Sequence, residues 1–378
     1  MTERAPLFHH TATTYRQGSF TLPREYYTSP EILAEETERL FATQWNCVGR
    51  ASRVAQPGEW FLATVAEDSL IVLRDRRGVL RAFFNVCRHR GTRLCEAPAG
   101  RFSESIQCPY HAWTYATDGR LIGAPHMQDV EDFDASQYPL HQAAVAEWEG
   151  FLFVNVDPDP VPFEEAWAPM LGRFSRFELG RLRVGHQVSY DIRANWKLVF
   201  QNYSECLHCP MIHPELNSVI PYRSGANDLV EGPFLGGYME IMAPHQSATM
   251  SGAACGLPVS TTLNPEDRSR GYYYSLKPNL LLSIHPDYAN YYLVQPVSPD
   301  RTLVQSEWLF HPDNEGNPAF QPQDAIDFWD VTNRQDWHIV ERSQAGIASR
   351  RYTPGPYSAR ESIPAAWDEA YLRMMGRS

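Results

Sequence analysis

Along the chain, the spacing of apolar positions changes character three times. In "SPEILAEETERLFATQW", residues 29–45, Leu33, Leu40 and Phe41 fall on one side at helical spacing, with Ser29 placed to cap the first turn and Pro30 at the first helical position. Thr37 interrupts that stripe. From Trp45 to Val156 the pattern shifts to short β-type runs, "EWFLATV", "SLIVLRD", "LRAFFNV", "HAWTYATDGRLIGAP" and "GFLFVNV", separated by Gly, Pro and Asp-Gly turns. A Pro-rich break, "DPDPVPF" at 157–163, follows. Beyond it, β runs ("YYYSLKPNLLLSIHP", "NYYLVQPV", "TLVQSEWLF") mix with helical segments near 194–212 and 323–346, which predicts an α+β region with an antiparallel sheet. The expected division is an N-terminal helical segment 1–44 packing on the C-terminal domain, an all-β domain 45–156, a linker 157–184 and an α+β domain 185–378. No internal repeat, coiled coil or low-complexity tract is present.

Composition narrows the class without changing that division. A chain of 378 residues suits two domains, each able to bury a core. With 43% hydrophobic and 21% charged residues, and no apolar run near the ~20 residues that span a bilayer, no membrane insertion is expected. The N-terminus has no secretory pattern, so the expected compartment is the cytoplasm. A formal charge of −12 argues against nucleic acid as a partner, since phosphate binding needs a basic footprint. The seven cysteines, at 47, 87, 95, 108, 206, 209 and 255, form no paired framework and read as reduced thiols and metal ligands.

The candidate chemistry begins at "CRHRGTRLC…CPYHAW". Cys87 and His89 end one β run, and Cys108 and His111 open the next, so two adjacent loops can present two thiolates and two imidazoles. Cys₂His₂ is a common zinc set, but the Cys-x-His spacing is unlike a zinc finger and no finger helix follows. The same four residue types also define a Rieske [2Fe-2S] centre, in which two histidines replace two cysteines on one iron. These loops resemble the cluster-binding motif of the Rieske non-heme iron oxygenases. They are less similar to the respiratory Rieske proteins, whose extra disulfide would need a cysteine at Tyr110; Cys95 then has no evident mate. Ala112 stands where the family usually has Gly. Arg88, Arg90 and Arg93 read equally as solvated loop charges and as compensation for a negative cluster that docks an electron donor.

A cluster of this kind only carries electrons, so the second domain must use them. "NWKLVFQNYSECLHCPMIHPEL", residues 195–216, contains Glu205, His208 and His213. Two histidines and one carboxylate on one face of Fe(II) leave positions open for dioxygen and substrate. The resemblance implies that His208 and His213 bind a mononuclear iron, and that Glu205 bridges to cluster ligand His111 of the partner subunit. Five helical residues turn through about 500°, leaving the two histidines roughly 140° apart, so a straight helix cannot aim both at one ion. Pro210 is expected to bend the segment. Cys206 and Cys209 are expected to pack rather than ligate. On the later helix, Trp329, Asn333, Asp336, Val340, Ser343 and Ile347 lie within about 40° of one face, while Asp324, Asp327 and Asp330 point elsewhere. Asp336 is thus the inward carboxylate and the expected third iron ligand, with a buried salt bridge as its other reading. The family's closing pattern resembles Asp336, Glu341, Gln344 and Gly346.

The resemblance implies an α+β chain with an N-terminal all-β Rieske [2Fe-2S] domain and a C-terminal helix-grip (START/Bet v 1-like) catalytic domain. It implies the terminal oxygenase component of a multicomponent system: O₂ is the cosubstrate, NAD(P)H acts through a separate flavin/ferredoxin-type reductase, the substrate is a small molecule, and the assembly is a homotrimer. "ECLHCPMIHPEL" is similar to members that act on glycine betaine and related quaternary ammonium compounds, by hydroxylation or oxidative N-demethylation. Tyr272, Tyr273, Tyr274, Tyr291, Tyr292 and Trp308 suit either a cation–π cage or core packing. Aromatic-ring hydroxylation or O-demethylation is the alternative within the family, and an electron-transfer Rieske protein the alternative outside it.

Overall fold

The computed structural model describes residues 8–377. The chain forms two compact units: one is Thr37–Ala166, the other takes the described residues up to Glu36 together with those from Trp167 onward. The expected boundaries at 44/45 and 156/157 compare with 36/37 and 166/167 in the structure. In the predicted first helix, the regular part is Pro30–Glu36, and the Ser29 hydroxyl accepts from the Ile32 amide at 3.1 Å as a cap. At Thr37, where the apolar stripe breaks, the turn widens, with the Ala42 amide bonded to the Thr37 carbonyl at 2.9 Å.

The unit 37–166 is all β. Its seven-stranded antiparallel sheet runs in the order Asn46–Arg50, Phe151–Asn155, Gln142–Trp148, Leu80–Phe84, Asp68–Arg74, Glu59–Val65, Ala99–Arg101. A second, three-stranded sheet consists of Ser105–Gln107, Thr114–Ala116 and Leu121–Gly123. Its hairpin ends are Gln107 and Thr114, so residues 108–113 form the connecting loop. Trp60, Ile71, Phe83, Trp113, Tyr115 and Leu140 pack one core, and Cys87 and Cys108 belong to it.

The other unit is α+β. An eight-stranded antiparallel sheet runs His9–His10, Ala226–Leu229, Phe234–Glu240, Arg270–Leu276, Leu280–Ile284, Tyr288–Ser298, Arg301–Phe310, Arg183–Ile192. The long helix Pro322–Ile347 is tied to it by polar contacts: Trp329 Nε1 donates to the Tyr288 hydroxyl at 2.6 Å, Tyr292 donates to Asn333 Oδ1 at 3.2 Å, and Tyr190 donates to Asp330 Oδ1 at 2.7 Å. Trp329, Asn333, Val340 and Ile347 are buried as their periodicity predicts, whereas Ser343 is exposed and Gln344 takes the inward place. Asp330, expected to point away, is engaged by Tyr190 and by Arg334 one turn on, at 2.8 Å.

The helix Trp196–Tyr203 is fixed at both ends. Asn195 caps it, its side chain accepting from the Lys197 amide at 3.1 Å. Gln344 Oε1 accepts from the Asn195 amide at 3.1 Å, which clamps this helix start to the long helix. Beneath it, Glu36 receives Lys197 Nζ (2.5 Å), Trp196 Nε1 (2.7 Å) and the Tyr371 hydroxyl (2.5 Å), with Glu36 and Lys197 fully buried. Removing one member of such a pair would strand a buried charge, so the network fixes the helix in place more than it adds net stability. Asp368 lies nearby, accepting from Gln201 Nε2 at 2.6 Å and the Tyr357 hydroxyl at 2.7 Å. Burial pushes its carboxyl up to about 7 against those two bonds and the charges of Lys277 and Lys197.

Candidate metal centres

The two cysteine-histidine loops share one backbone design. In the first, the Cys87 amide donates to the Thr92 carbonyl at 2.9 Å and the Gly91 amide to the Cys87 carbonyl at 3.0 Å. In the second, the Cys108 amide donates to the Trp113 carbonyl at 2.8 Å and the Ala112 amide to the Cys108 carbonyl at 3.2 Å. In both, the residue four after the cysteine has positive φ, +75° at Gly91 and +55° at Ala112. This is the conformation that glycine adopts without cost, which explains why Ala112 is the unusual member.

The donors sort into pairs. Cys87 and Cys108 are buried, the Cys87 thiol 3.3 Å from the Tyr115 hydroxyl. Burial, followed by the neighbouring Cys87 among other causes, raises the Cys108 thiol above its ordinary value. His89 and His111 lie outward of them with ring centroids 4.8 Å apart, His89 stacked on Trp113 at 4.8 Å and 5°. Arg90 sits over Tyr110 at 5.5 Å, and Tyr110 packs on His111 at 3.6 Å. Among the described residues, the only three or more His, Cys, Asp or Glu donors within 4.8 Å of one another are elsewhere, so these four do not converge on one point. A thiol pair beside an imidazole pair fits a two-iron cluster with unlike irons and does not fit one tetrahedral zinc.

The convergent set is His208, His213 and Asp336. Asp336 Oδ1 lies 3.2 Å from His208 Nε2 and 2.8 Å from His213 Nε2. The chain reaches this geometry differently from expectation. The helix ends at Tyr203, five residues before His208, and Pro210 sits in the first turn of a new short helix, Cys209–Ile212, where a missing N–H is harmless. The break falls at His213 (φ −125°, ψ 68°), which Pro214 excludes from helical conformation before the next helix, Pro214–Val219, begins. Cys206 and Cys209, expected as reduced packing residues, form a disulfide across this turn.

The imidazoles are oriented from behind. Gln335 Oε1 accepts from His213 Nδ1 at 2.7 Å, leaving Nε2 to face Asp336. His208 Nδ1 bonds Glu205 Oε1 at 2.6 Å, and the other Glu205 oxygen takes the Leu207 amide. Burial works to lower the His208 pKa, but Asp336 and Glu205 outweigh it and hold it up to about 10. For Asp336, burial is likewise overcome by His208 and His213, and its carboxyl stays below the ordinary range. Gln335 was not visible from the sequence, because periodicity singles out core positions and not a polar neighbour beside one. Two nitrogens and a carboxylate on one side, with the other side open to a cavity, fit a three-ligand iron site.

That cavity, about 140 Å³, is walled by Tyr203, Tyr222, Tyr238, Tyr273 and Trp329. Of the six aromatics marked in the sequence only Tyr273 faces it. Strand alternation turns Tyr272 and Tyr274 to the opposite face, against Phe177 and Phe174. Tyr291, Tyr292 and Trp308 are buried and do not line the cavity.

The Rieske [2Fe-2S] domain family matches residues 44–134, and the ring hydroxylating alpha subunit (catalytic domain) family matches residues 179–377. The glycine betaine monooxygenase oxygenase subunit of Chromohalobacter salexigens is 33% identical over 377 residues, covering 91% of this chain and 83% of that protein. The carnitine monooxygenase oxygenase subunit of Acinetobacter baumannii is 31% identical over 342 residues, covering 88% and 87%. Among solved structures, a quaternary ammonium Rieske monooxygenase described for carnitine oxidation and inter-subunit electron transfer superposes with a TM-score of 0.82 at 25% identity, covering 97% of this chain and 98% of that one. Among the described residues no helix is long and apolar enough to cross a membrane. With cluster and mononuclear iron as cofactors, O₂ as oxidant and electrons from a partner reductase, the chain belongs to the Rieske non-heme iron oxygenases as an oxygenase alpha subunit.

Proposed function

We propose that this oxygenase acts on a small quaternary ammonium compound, removing an N-methyl group by hydroxylating it. The observation that carries the reading is the cavity: its lining combines the His208/His213/Asp336 triad with a wall of four tyrosines and a tryptophan. Aromatic faces attract a cation that carries no N–H to donate. Burial keeps the Tyr203 and Tyr273 hydroxyls protonated and those two rings uncharged. The similar betaine and carnitine enzymes support the same class.

In this reading Cys87, Cys108, His89 and His111 hold the cluster, and His208, His213 and Asp336 hold the iron. When bound, the iron supplies the dioxygen chemistry. The protein's part is positional. Gln335 and Glu205 hold the two imidazoles at the angles in which their Nε2 atoms face the site, and the aromatic wall presents a methyl group while excluding water. Glu205 is further proposed to reach His111 of the partner subunit in a homotrimer, with NAD(P)H supplying electrons through a separate flavin/ferredoxin-type reductase in the cytoplasm. The inter-subunit transfer described for the carnitine-oxidising relative supports that arrangement.

The overall balance is R–N(CH₃)₃⁺ + O₂ + NAD(P)H → R–N(CH₃)₂ + HCHO + H₂O + NAD(P)⁺. The test is a panel of betaines and aromatic acids with the reductase present, measuring formaldehyde, O₂ and NAD(P)H together. One formaldehyde per O₂ and NAD(P)H with a quaternary amine is expected. Coupled turnover of aromatic acids alone would overturn the reading.

A further inference from the structure

The cavity holds one cationic side chain whose charge the iron site does not use. Arg360 lines it, and among the described residues its guanidinium makes no ion pair. We propose that Arg360 binds a carboxylate, so that the substrate is a zwitterion carrying a quaternary ammonium at one end and a carboxylate at the other, and a cationic alcohol is disfavoured. This rests on the quaternary ammonium reading above and names the second half of the ligand.

Three observations support it. First, Arg360 is presented by an anchored segment. Tyr357 is buried, its amide donating to the Ser19 carbonyl at 3.0 Å and its hydroxyl to Asp368 at 2.7 Å, and Ile363, three residues after Arg360, also lines the cavity. Second, the acid beside it is committed elsewhere: Glu361 Oε2 accepts from the Ser358 amide at 2.8 Å. The guanidinium instead lies over the Tyr222 ring, 5.7 Å from its centroid, and Tyr222 is itself a wall residue whose hydroxyl accepts from Arg223 Nε at 2.7 Å. Third, Arg360 is the one arginine or lysine on the cavity lining, which it shares with the aromatic wall.

A zwitterion then enters in one orientation. The aromatic wall takes the ammonium, and the carboxylate meets the planar guanidinium fork. An alcohol in place of the carboxylate leaves Arg360 unpaired and adds a second positive charge to the cavity without compensation.

The experiment compares glycine betaine with choline, which differ in that group, on the iron-loaded enzyme and its Arg360→Gln and Arg360→Lys variants. Dissociation constants come from calorimetry, and KM and kcat from turnover with the reductase. Wild type should favour glycine betaine. In Arg360→Gln its Kd and KM should rise by about tenfold, the loss of one charge-assisted bond at a partly solvated site, with kcat nearly kept and choline within about twofold. Arg360→Lys should recover part of the loss, since it restores charge without the fork. Glycine betaine binding unchanged in Arg360→Gln, or both ligands weakened equally, would overturn the assignment while leaving the quaternary ammonium reading intact. A wild-type enzyme that binds aromatic acids and neither ligand would overturn both.

Discussion

The cluster loops and the mononuclear site differ in how far along the chain their parts lie. Cys87, His89, Cys108 and His111 fall within one short stretch, on two loops each closed by the same two backbone bonds. His208 and His213 meet Asp336 across 123 residues, and what aligns them is a set of long-range ties: Gln344 on the Asn195 amide, Tyr190 on Asp330, and Glu36 under Lys197 and Trp196. The first site is held by local turn geometry and the second by the packing of a whole unit. Perturbations should therefore separate them.

The sharpest separation comes from the three residues proposed to hold the iron. His208→Ala, His213→Ala or Asp336→Ala should empty the mononuclear site and reduce turnover by more than the about 100-fold that loss of an outer-shell partner costs, with the reduced cluster's EPR signal retained. Metal analysis with EPR checks it; loss of both signals would break the distinction. Next, Glu36→Ala should destabilise the catalytic unit by about 3–5 kcal/mol by leaving Lys197 charged and unpaired at 0% exposure. In a urea titration, the iron-site signal should then fail at lower denaturant than the cluster's visible absorbance. Simultaneous loss would show that one cooperative unit holds both.

A smaller effect concerns Asp368. Its folded pKa of about 7 lies above that of an unfolded carboxyl near 3.9, so the native chain holds an extra proton between those values. The stability this contributes is complete below pH 4 and is lost as pH rises through 7, by about 4 kcal/mol at most. Urea midpoints of the catalytic unit at pH 5 and 8 should fall in that order, with a shallower fall in Asp368→Asn. The smallest change sits in the other unit. Ala112→Gly should stabilise the second cluster loop by up to about 1 kcal/mol because it relieves a positive φ, and Gly91→Ala should cost a similar amount in the first. Thermal melting followed at the cluster absorbance measures both, and equal shifts of opposite sign would confirm that the loops are one design used twice.

The same difference in range explains what could be read from the chain alone. The cluster motif was legible because its spacing is its geometry. Asp336 was legible because a 26-residue helix keeps a regular face, on which it falls beside Asn333 and Val340. The local path to His213 was misread: a proline in sequence suggests a bend, but whether Pro210 or Pro214 makes it depends on where the preceding helix stops. The disulfide at Cys206–Cys209 depends on that same short turn. Gln335, behind His213, and Arg360, on the cavity lining, were missed because a polar residue beside a site has no periodicity of its own. The polar strand Arg183–Ile192 escaped notice for a related reason: it lies at the sheet edge, largely exposed.

The catalytic unit is also split in the order of its synthesis. Glu36 is made early, yet its bond to Tyr371, like the Thr14–Ser362 and Tyr15–Tyr357 bonds, awaits residues 335 or more positions further along the chain. The unit 37–166 has all of its strands once residue 155 has emerged, so its two loops can close on a nascent chain. A nascent chain exposed as far as residue 166 would carry every strand of the first unit, whereas one synthesised only to residue 330 would still lack Asp336, the carboxylate proposed to complete the iron site.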